Sequence, residues 1–469
     1  MADEIAGVAP SLPAFVLYPT ALVLVCLLAW LSWRTQCRIA NFILFAVCGR
    51  YMMSAFHQIT FAASPVGMSW NALGSCLIVM LGLLLIDQRM LRLRFFLPVY
   101  VLVAVILLSG IVNADYSGTI NAIVKYGYFV VVAIGTCEAL EQYGEQRFMR
   151  FLLWAFSPLI IFQIFSLLLG VSKAGESDGS VSVIGGYNHE AAFSIALATG
   201  FVVAALARNM NPSIKGLFLS VSLVGLFLAN YRTSILAIAP IVFAQIAFGT
   251  TQMFPKSQRP AIGIAMVLVC FIIAVIAAFF LQSRFHDLAT IIESGGHIIK
   301  PPDEFTRTDQ MLLSGRAELW SKYIYGYLAS TDARKFVGFG ANSWIPVFGF
   351  YAHNTLVSQL YEYGVLGVFG VLYLWIAMFY SVVRVRRGPR GKLIAAHLSF
   401  IVLSFATMPL WMIEGYIFYG IICGYTLFLL KAVAPSRRRS QPMLLHASSA
   451  FVRPLHAFNS PHLGSPLDN

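Results

Sequence analysis

The sequence predicts an all-α polytopic membrane protein with 12–13 transmembrane helices and one long, helical loop on the outer face. Three observations predict it. Only 11% of the 469 residues are charged and 59% are hydrophobic, with mean hydropathy +0.77, where a soluble domain carries about 25% charged residues. Apolar runs close to the roughly 20 residues that a spanning helix needs recur along nearly the whole chain. Basic clusters sit in every second connection between those runs, which is how orientation is written in membrane proteins. In lipid only helices and closed barrels satisfy their own backbone groups. Runs this long and unbroken select helices over alternating barrel strands.

The spans are expected near 14–33, 39–60, 71–87, 95–112, 119–138, 151–170, 189–207, 213–229, 231–249, 261–281, 354–383, 393–410 and 414–432. Arg34/Arg38, Arg89/Arg92/Arg94, Arg147/Arg150, Arg208/Lys215, Lys256/Arg259 and the segment Arg384 to Lys392 mark the cytoplasmic connections. The alternate connections, AASPVGMSW, NADYSG and PLWMIEG, are nearly free of Lys and Arg. The C-terminus is then inside, anchored by SRRRS at 436–440. Thirteen spans put the N-terminus outside; twelve require one apolar run, most easily the first, to lie in the interface.

The expected organisation is a bundle of ten spans over 1–281, an outer loop or cap over 282–353, the last spans over 354–433 and a disordered cytoplasmic tail over 434–469. A loop of about 70 residues is uncommon and often functional. The patch GRAELWSKYIYGYLAS within it is amphipathic and predicts a small helical cap. The tail is rich in Ser, Pro and His and offers no packed core.

The net charge of +12 does not point to nucleic acid, because the basic residues are short clusters between apolar runs. All seven cysteines lie in or beside apolar runs, so no disulfide framework or thiolate metal site is expected. The start, MADEIAG, lacks the basic region of a signal peptide, and the first helix is expected to serve as the targeting signal and to stay in place.

Ionisable residues at membrane depth are costly and are functional candidates. Here they are Arg50, Glu138, Glu190, Arg232, Glu362 and Glu414, with His353 at the mouth of the eleventh span. Arg232, in LFLANYRTSILAIAP, stands between two apolar helices with no basic neighbour. Its guanidinium fork suits phosphate oxygens, although an arginine snorkelling to the interface would look the same. Arg316, in LLSGRAELW, precedes the amphipathic patch and alone reads as a solvated loop arginine. Histidine exchanges a proton near neutral pH, so His353 is a candidate base, or an interfacial histidine bonded to a carbonyl. Asn188, His189 and Glu190 open the seventh span after Gly185 and Gly186, where Asn188 also suits a helix N-cap. Gly338 and Gly340 predict a tight turn, and a phosphate nest there is weakly supported. The charge pattern puts Asn188, His189, Arg232, Arg316 and His353 on one face, although they come from separated parts of the chain.

In that order, YNHEAAFS, YRTSILAI, SGRAELW, VGFGANSW and AHNTLVSQLYEYGVLGVFG resemble the motifs of the O-antigen ligase/polymerase superfamily over about 185–370. The last is the most specific; the first half of the chain matches only in being a bundle of spans. The resemblance implies a bacterial inner-membrane, metal-independent, inverting glycosyltransferase without cofactor, its site facing the periplasm. The implied partners are a donor glycan on undecaprenyl pyrophosphate and an acceptor hydroxyl on another glycan or on lipid A-core. By the same resemblance Arg232 and Arg316 bind the donor pyrophosphate, His353 activates or orients the acceptor, and Asn354 and Glu362 support it. One departure is Asn188-His189-Glu190, where the family often carries Asn-Pro-Asn or a similar tripeptide; it makes His189 a rival to His353. An O-antigen ligase is slightly favoured over a polymerase of O-antigen or exopolysaccharide; transfer to a protein is a third option. A transporter or flippase would suit the span count, but no internal repeat of the kind transporters show is found. A membrane scaffold would leave Arg232, Arg316 and His353 without a reason to share a face.

Overall fold

The computed structural model describes residues 10–174, 181–208, 210–250, 255, 257–280, 299–306, 309, 315–386 and 388–433. The expected tail, residues 175–180 of the sixth-to-seventh connection, and 281–298 and 310–314 of the outer loop lie outside the described residues.

About 79% of the described residues are helical. Each of the thirteen predicted apolar runs is a helix or a broken pair of helices. Among the described residues, seven helices are long and apolar enough to cross a membrane: Ala14–Thr35, Arg94–Asn113, Tyr116–Gln142, Glu145–Leu168, Arg232–Gly249, Thr355–Val383 and Ile413–Ala432. Trp70–Leu85, Glu190–Leu206 and Pro212–Leu228 are shorter apolar helices. Arg38–Ala55, Arg259–Phe280 and Arg390–Ala406 complete the set. The chain is therefore an all-α protein of the multi-pass membrane class.

Local chemistry explains the ends and breaks. Ser69, Asp115, Asn211 and Asn354 each cap a helix by accepting a backbone N–H two or three residues ahead. At the other end of Glu190–Leu206, Lys215 donates to the Ala205 and Ala207 carbonyls at 3.1 and 2.7 Å, so basic residues that orient the chain also satisfy orphan carbonyls. Thr355–Val383 is kinked at Gly364, whose φ is +65°.

The core is built on Tyr116–Gln142, which packs most extensively against Ile413–Val433. Glycines permit this approach: a Cβ on Gly424 would stand 2.3 Å from the Ala133 carbonyl oxygen. Arg50 and Glu414 meet inside the bundle, with Nε donating to Oε1 at 2.9 Å and both side chains buried. Arg50 also bonds Asn71, and Ser54 donates to Glu414. A buried pair of this kind is tolerable only with such extra hydrogen bonds.

Candidate active site

Three segments far apart in sequence converge. The first is the start of the helix Arg232–Gln245. The second is the loop helix Arg316–Leu328, where the amphipathic patch was expected; it begins after Gly315, whose φ of +78° favours glycine. The third is the turn that carries His353 into the helix Thr355–Val383. Arg316 is the first residue of its helix, and its Nη2 donates to Thr233 Oγ1 at 3.4 Å. Thr233 directly follows Arg232, so the two arginines of the sequence reading start neighbouring helices. Arg232 itself is exposed.

The loop helix also builds the histidine turn. Trp320 Nε1 donates to the Ala352 carbonyl at 2.7 Å, and the Tyr323 hydroxyl donates to the Phe350 carbonyl at 2.8 Å. Arg316, Trp320 and Tyr323 follow at helical spacing, so one rigid element presents a cation and two clamps. His353 has φ +50°, in the left-handed region that few side chains enter without cost. Asn354 then caps the helix, its side chain accepting from Leu356 N at 2.9 Å and Val357 N at 3.2 Å while its amide donates to the Phe405 carbonyl. Its role is to end the turn and start the helix.

His353 Nδ1 is buried and has no hydrogen-bond partner among the described residues. Burial, then the Arg316 charge and the proximity of His189, push the imidazole pKa down to about 3, against a weaker opposing pull from Glu190. The ring is thus neutral at physiological pH, with a lone pair free to accept a proton. It lies 4.0 Å from the Tyr351 ring, which also stacks on Trp411 at 5.7 Å and lies 5.8 Å from His189. His189 is the N-cap of Glu190–Leu206 and its Nδ1 accepts from Ala191 N at 3.0 Å. The capping position expected of Asn188 belongs to His189. Glu190 is bonded to Lys173 at 2.8 Å.

Glu362 turns away from this cluster. Its carboxylate accepts from Asn342 N at 2.7 Å and from the Ser358 hydroxyl, while its carbonyl accepts from Gly340 N at 2.9 Å. It therefore ties the Gly338–Gly340 turn to the kinked helix. Gly338 N donates to Arg334 O at 2.7 Å and Phe339 N to Tyr361 O at 3.0 Å. With those donors spent, the turn is a packing device and not a phosphate nest. Among the described residues, no group of three or more His, Cys, Asp or Glu is placed to hold a metal ion.

A feature the sequence reading passed over is Lys125, midway along Tyr116–Gln142. Its ammonium lies 5.4 Å from the Trp411 ring centroid. The signal was present in NAIVKYGYF, a lone lysine inside a predicted span. It lines a cavity of about 780 Å³ that reaches Arg50, Glu414, Asn188 and His189.

The geometry supplies two cations at neighbouring helix starts and a neutral, unbonded imidazole beside one of them. That set suits an anionic leaving group and a hydroxyl nucleophile. Compared with known proteins, this chain matches no family model and no curated protein.

Proposed function

We propose that this protein is a metal-independent glycosyltransferase of the bacterial inner membrane that works at the periplasmic face. It moves a glycan from undecaprenyl pyrophosphate to an acceptor hydroxyl, with lipid A-core the favoured acceptor. The observation that carries this reading is the convergence of Arg316, Thr233 beside Arg232, and a neutral His353 whose Nδ1 has no partner among the described residues. The donor's bond to pyrophosphate is already activated, so catalysis needs positioning and stabilisation of developing charge. Arg232 and Arg316 hold the pyrophosphate. The acceptor oxygen attacks the anomeric carbon, its proton passes to His353, and the carbon–oxygen bond to pyrophosphate breaks with the electron pair leaving on phosphate oxygen. One displacement inverts the anomeric centre. Binding of the dianion offsets the Arg316 charge that depresses His353, so the imidazole becomes a better base once the donor is seated.

The proposed topology has thirteen spans. Gln58 donates to Ser11 at 3.0 Å, and Gly186 packs against Leu12. Gln58 ends the second span and Gly186 belongs to an outer connection by charge, which supports an outer N-terminus.

The test is the glycan profile of cells lacking the gene, with lipopolysaccharide and secreted polysaccharide resolved separately. Bare lipid A-core with accumulated long lipid-linked glycan supports the ligase. Core bearing single repeat units, or loss of secreted polysaccharide alone, converts the assignment to a polymerase. Two unchanged profiles reject glycan transfer and return the transporter reading.

A further inference from the structure

The cavity beside Lys125 is lined by Trp411, which stacks on Tyr351; Tyr351 in turn lies against His353, which is not itself in the lining. Its volume of about 780 Å³ suits a drug-sized or sugar-sized ligand. Its rim comes from segments that the charge pattern puts outside: Met68 and Ser69, Ser117, Asn188 and His189, and Trp411. The wall is unusual for a membrane bundle, because Asn71, Asn121 and Asn188 present amides and Trp411 presents an indole face. Amides with one aromatic platform are the chemistry of a hydroxylated ring, whose polar edge and apolar face they match.

The charges are unequal. Arg50 and Glu414 cancel in their 2.9 Å pair. Glu362, a carboxyl outside the cavity lining, accepts hydrogen bonds from Asn342 N and Ser358 and makes no ion pair with Lys125. Lys125 makes no ion pair among the described residues and has only the Trp411 ring beneath it. A cation–π contact offsets only part of the cost of desolvating an ammonium. Among the lining residues, the lysine and arginine side chains therefore outnumber the carboxylates by one, Lys125 being the cation without a direct ion-pair partner there.

We infer that this cavity is a binding site for a sugar carrying an anionic group, with Lys125 pairing that anion and Trp411 under the ring. His189 and Trp411 line the cavity and also contact Tyr351, which touches His353. The site is thus placed to hold the acceptor glycan. That acceptor role rests on the glycosyl-transfer reading, whereas the preference for an anionic sugar does not.

The test is a ligand-observed NMR titration of the full-length protein in nanodiscs with glucuronate, glucose 6-phosphate and glucose. At least one anionic sugar is expected to bind tenfold or more tightly than glucose; which one identifies a carboxylate or a phosphate as the group recognised. Lys125→Met should reduce that sugar to the level of glucose, and Lys125→Arg should keep most of the preference. Asn121→Leu, which fills the wall with apolar atoms, should weaken all three. Equal binding of all three sugars, no saturable binding, or an unchanged preference in Lys125→Met overturns the inference. His353→Ala should leave the titration unaltered. An anion preference in a protein that transfers no glycan would sink the proposed function and spare this site; transfer without the preference would do the reverse.

Discussion

His353 combines a backbone conformation that favours glycine with the imidazole proposed as the base. The two can be separated. His353→Gly relieves the positive φ and removes the base, so the melting temperature should hold or rise while the transfer rate falls by roughly 10²–10⁴-fold. Near-normal transfer by that variant would leave the imidazole without a chemical role. The same residue makes a pH prediction. The unfolded imidazole titrates near its ordinary value of 6.5 and the folded one near 3. Below 6.5 the unfolded chain gains a proton that the folded chain refuses, so stability is lost as pH falls from 6.5 toward 3, and nothing is lost above 6.5. The melting temperature of the wild type relative to His353→Gly should drop between pH 7.5 and pH 4.5; a constant difference would contradict a depressed imidazole. For the arginines, Arg232→Ala and Arg316→Ala should each cost about 10²-fold or more in transfer, as for other lost anion donors. Lysine should restore little at either position, because one ammonium does not reproduce a bidentate fork.

The helix Arg316–Leu328 fixes the spacing between a cation and the histidine turn, so its clamps should matter to rate more than to stability. Trp320→Phe keeps the ring and loses the bond to Ala352. It should lower kcat by several-fold to tenfold with little change in donor KM, in membranes where the protein level is unchanged. At the kinked helix the balance reverses. A Cβ on Gly338 would stand 2.3 Å from the Glu362 carbonyl, and one on Gly364 2.4 Å from the Phe336 carbonyl. Each Gly→Ala should destabilise by about 1–3 kcal/mol, read as a lower melting temperature in detergent. These elements also show what the sequence could reveal. The thirteen apolar runs and the loop helix were legible because each depends on local periodicity and composition. That Arg232 and Arg316 share a face was expected from charge pattern and motif order, whereas the bond from Arg316 to Thr233 is legible only in the fold. The role of Gly338–Gly340 was not legible, since a G-x-G turn reads the same whether its N–H groups face a phosphate or a helix backbone. Glu362 was expected to serve His353, but only the fold could show that its carboxylate faces Asn342. Lys125 was visible as a buried charge, yet its meaning depends on Trp411 and Glu414, almost 300 residues away in the chain.

At the scale of the whole molecule, the unresolved choice in the sequence was whether the first apolar run crosses the membrane or lies in its interface. An interfacial helix needs one strongly polar face. Ala14–Thr35 has no charged residue before Arg34: Phe15, Leu22, Val23 and Trp33 are exposed on one side, and the buried Leu17, Ala21 and Leu24 occupy the other, so neither side is strongly polar. Only 17% of its most apolar window is buried by the protein, against 89% for Ile413–Ala432. So bare an apolar surface, over 22 residues, is stable only with lipid around it. Its start meets Gln58 and Gly186, so crossing carries its other end, Arg34, to the basic face. That supports the odd parity of the proposed thirteen-span topology, in which every basic cluster that follows lies on the inner side. Single cysteines in an otherwise cysteine-free protein test the arrangement with a membrane-impermeant maleimide on intact spheroplasts. Ser11→Cys and Ala333→Cys should label from outside, and Gln146→Cys should label only after the membrane is opened. Labelling of Ala333→Cys without Ser11→Cys would put the first helix in the interface and reduce the bundle to twelve spans, leaving the site on the same face. Labelling of Gln146→Cys from outside would invert the molecule and remove the donor pyrophosphate from reach of Arg232 and Arg316.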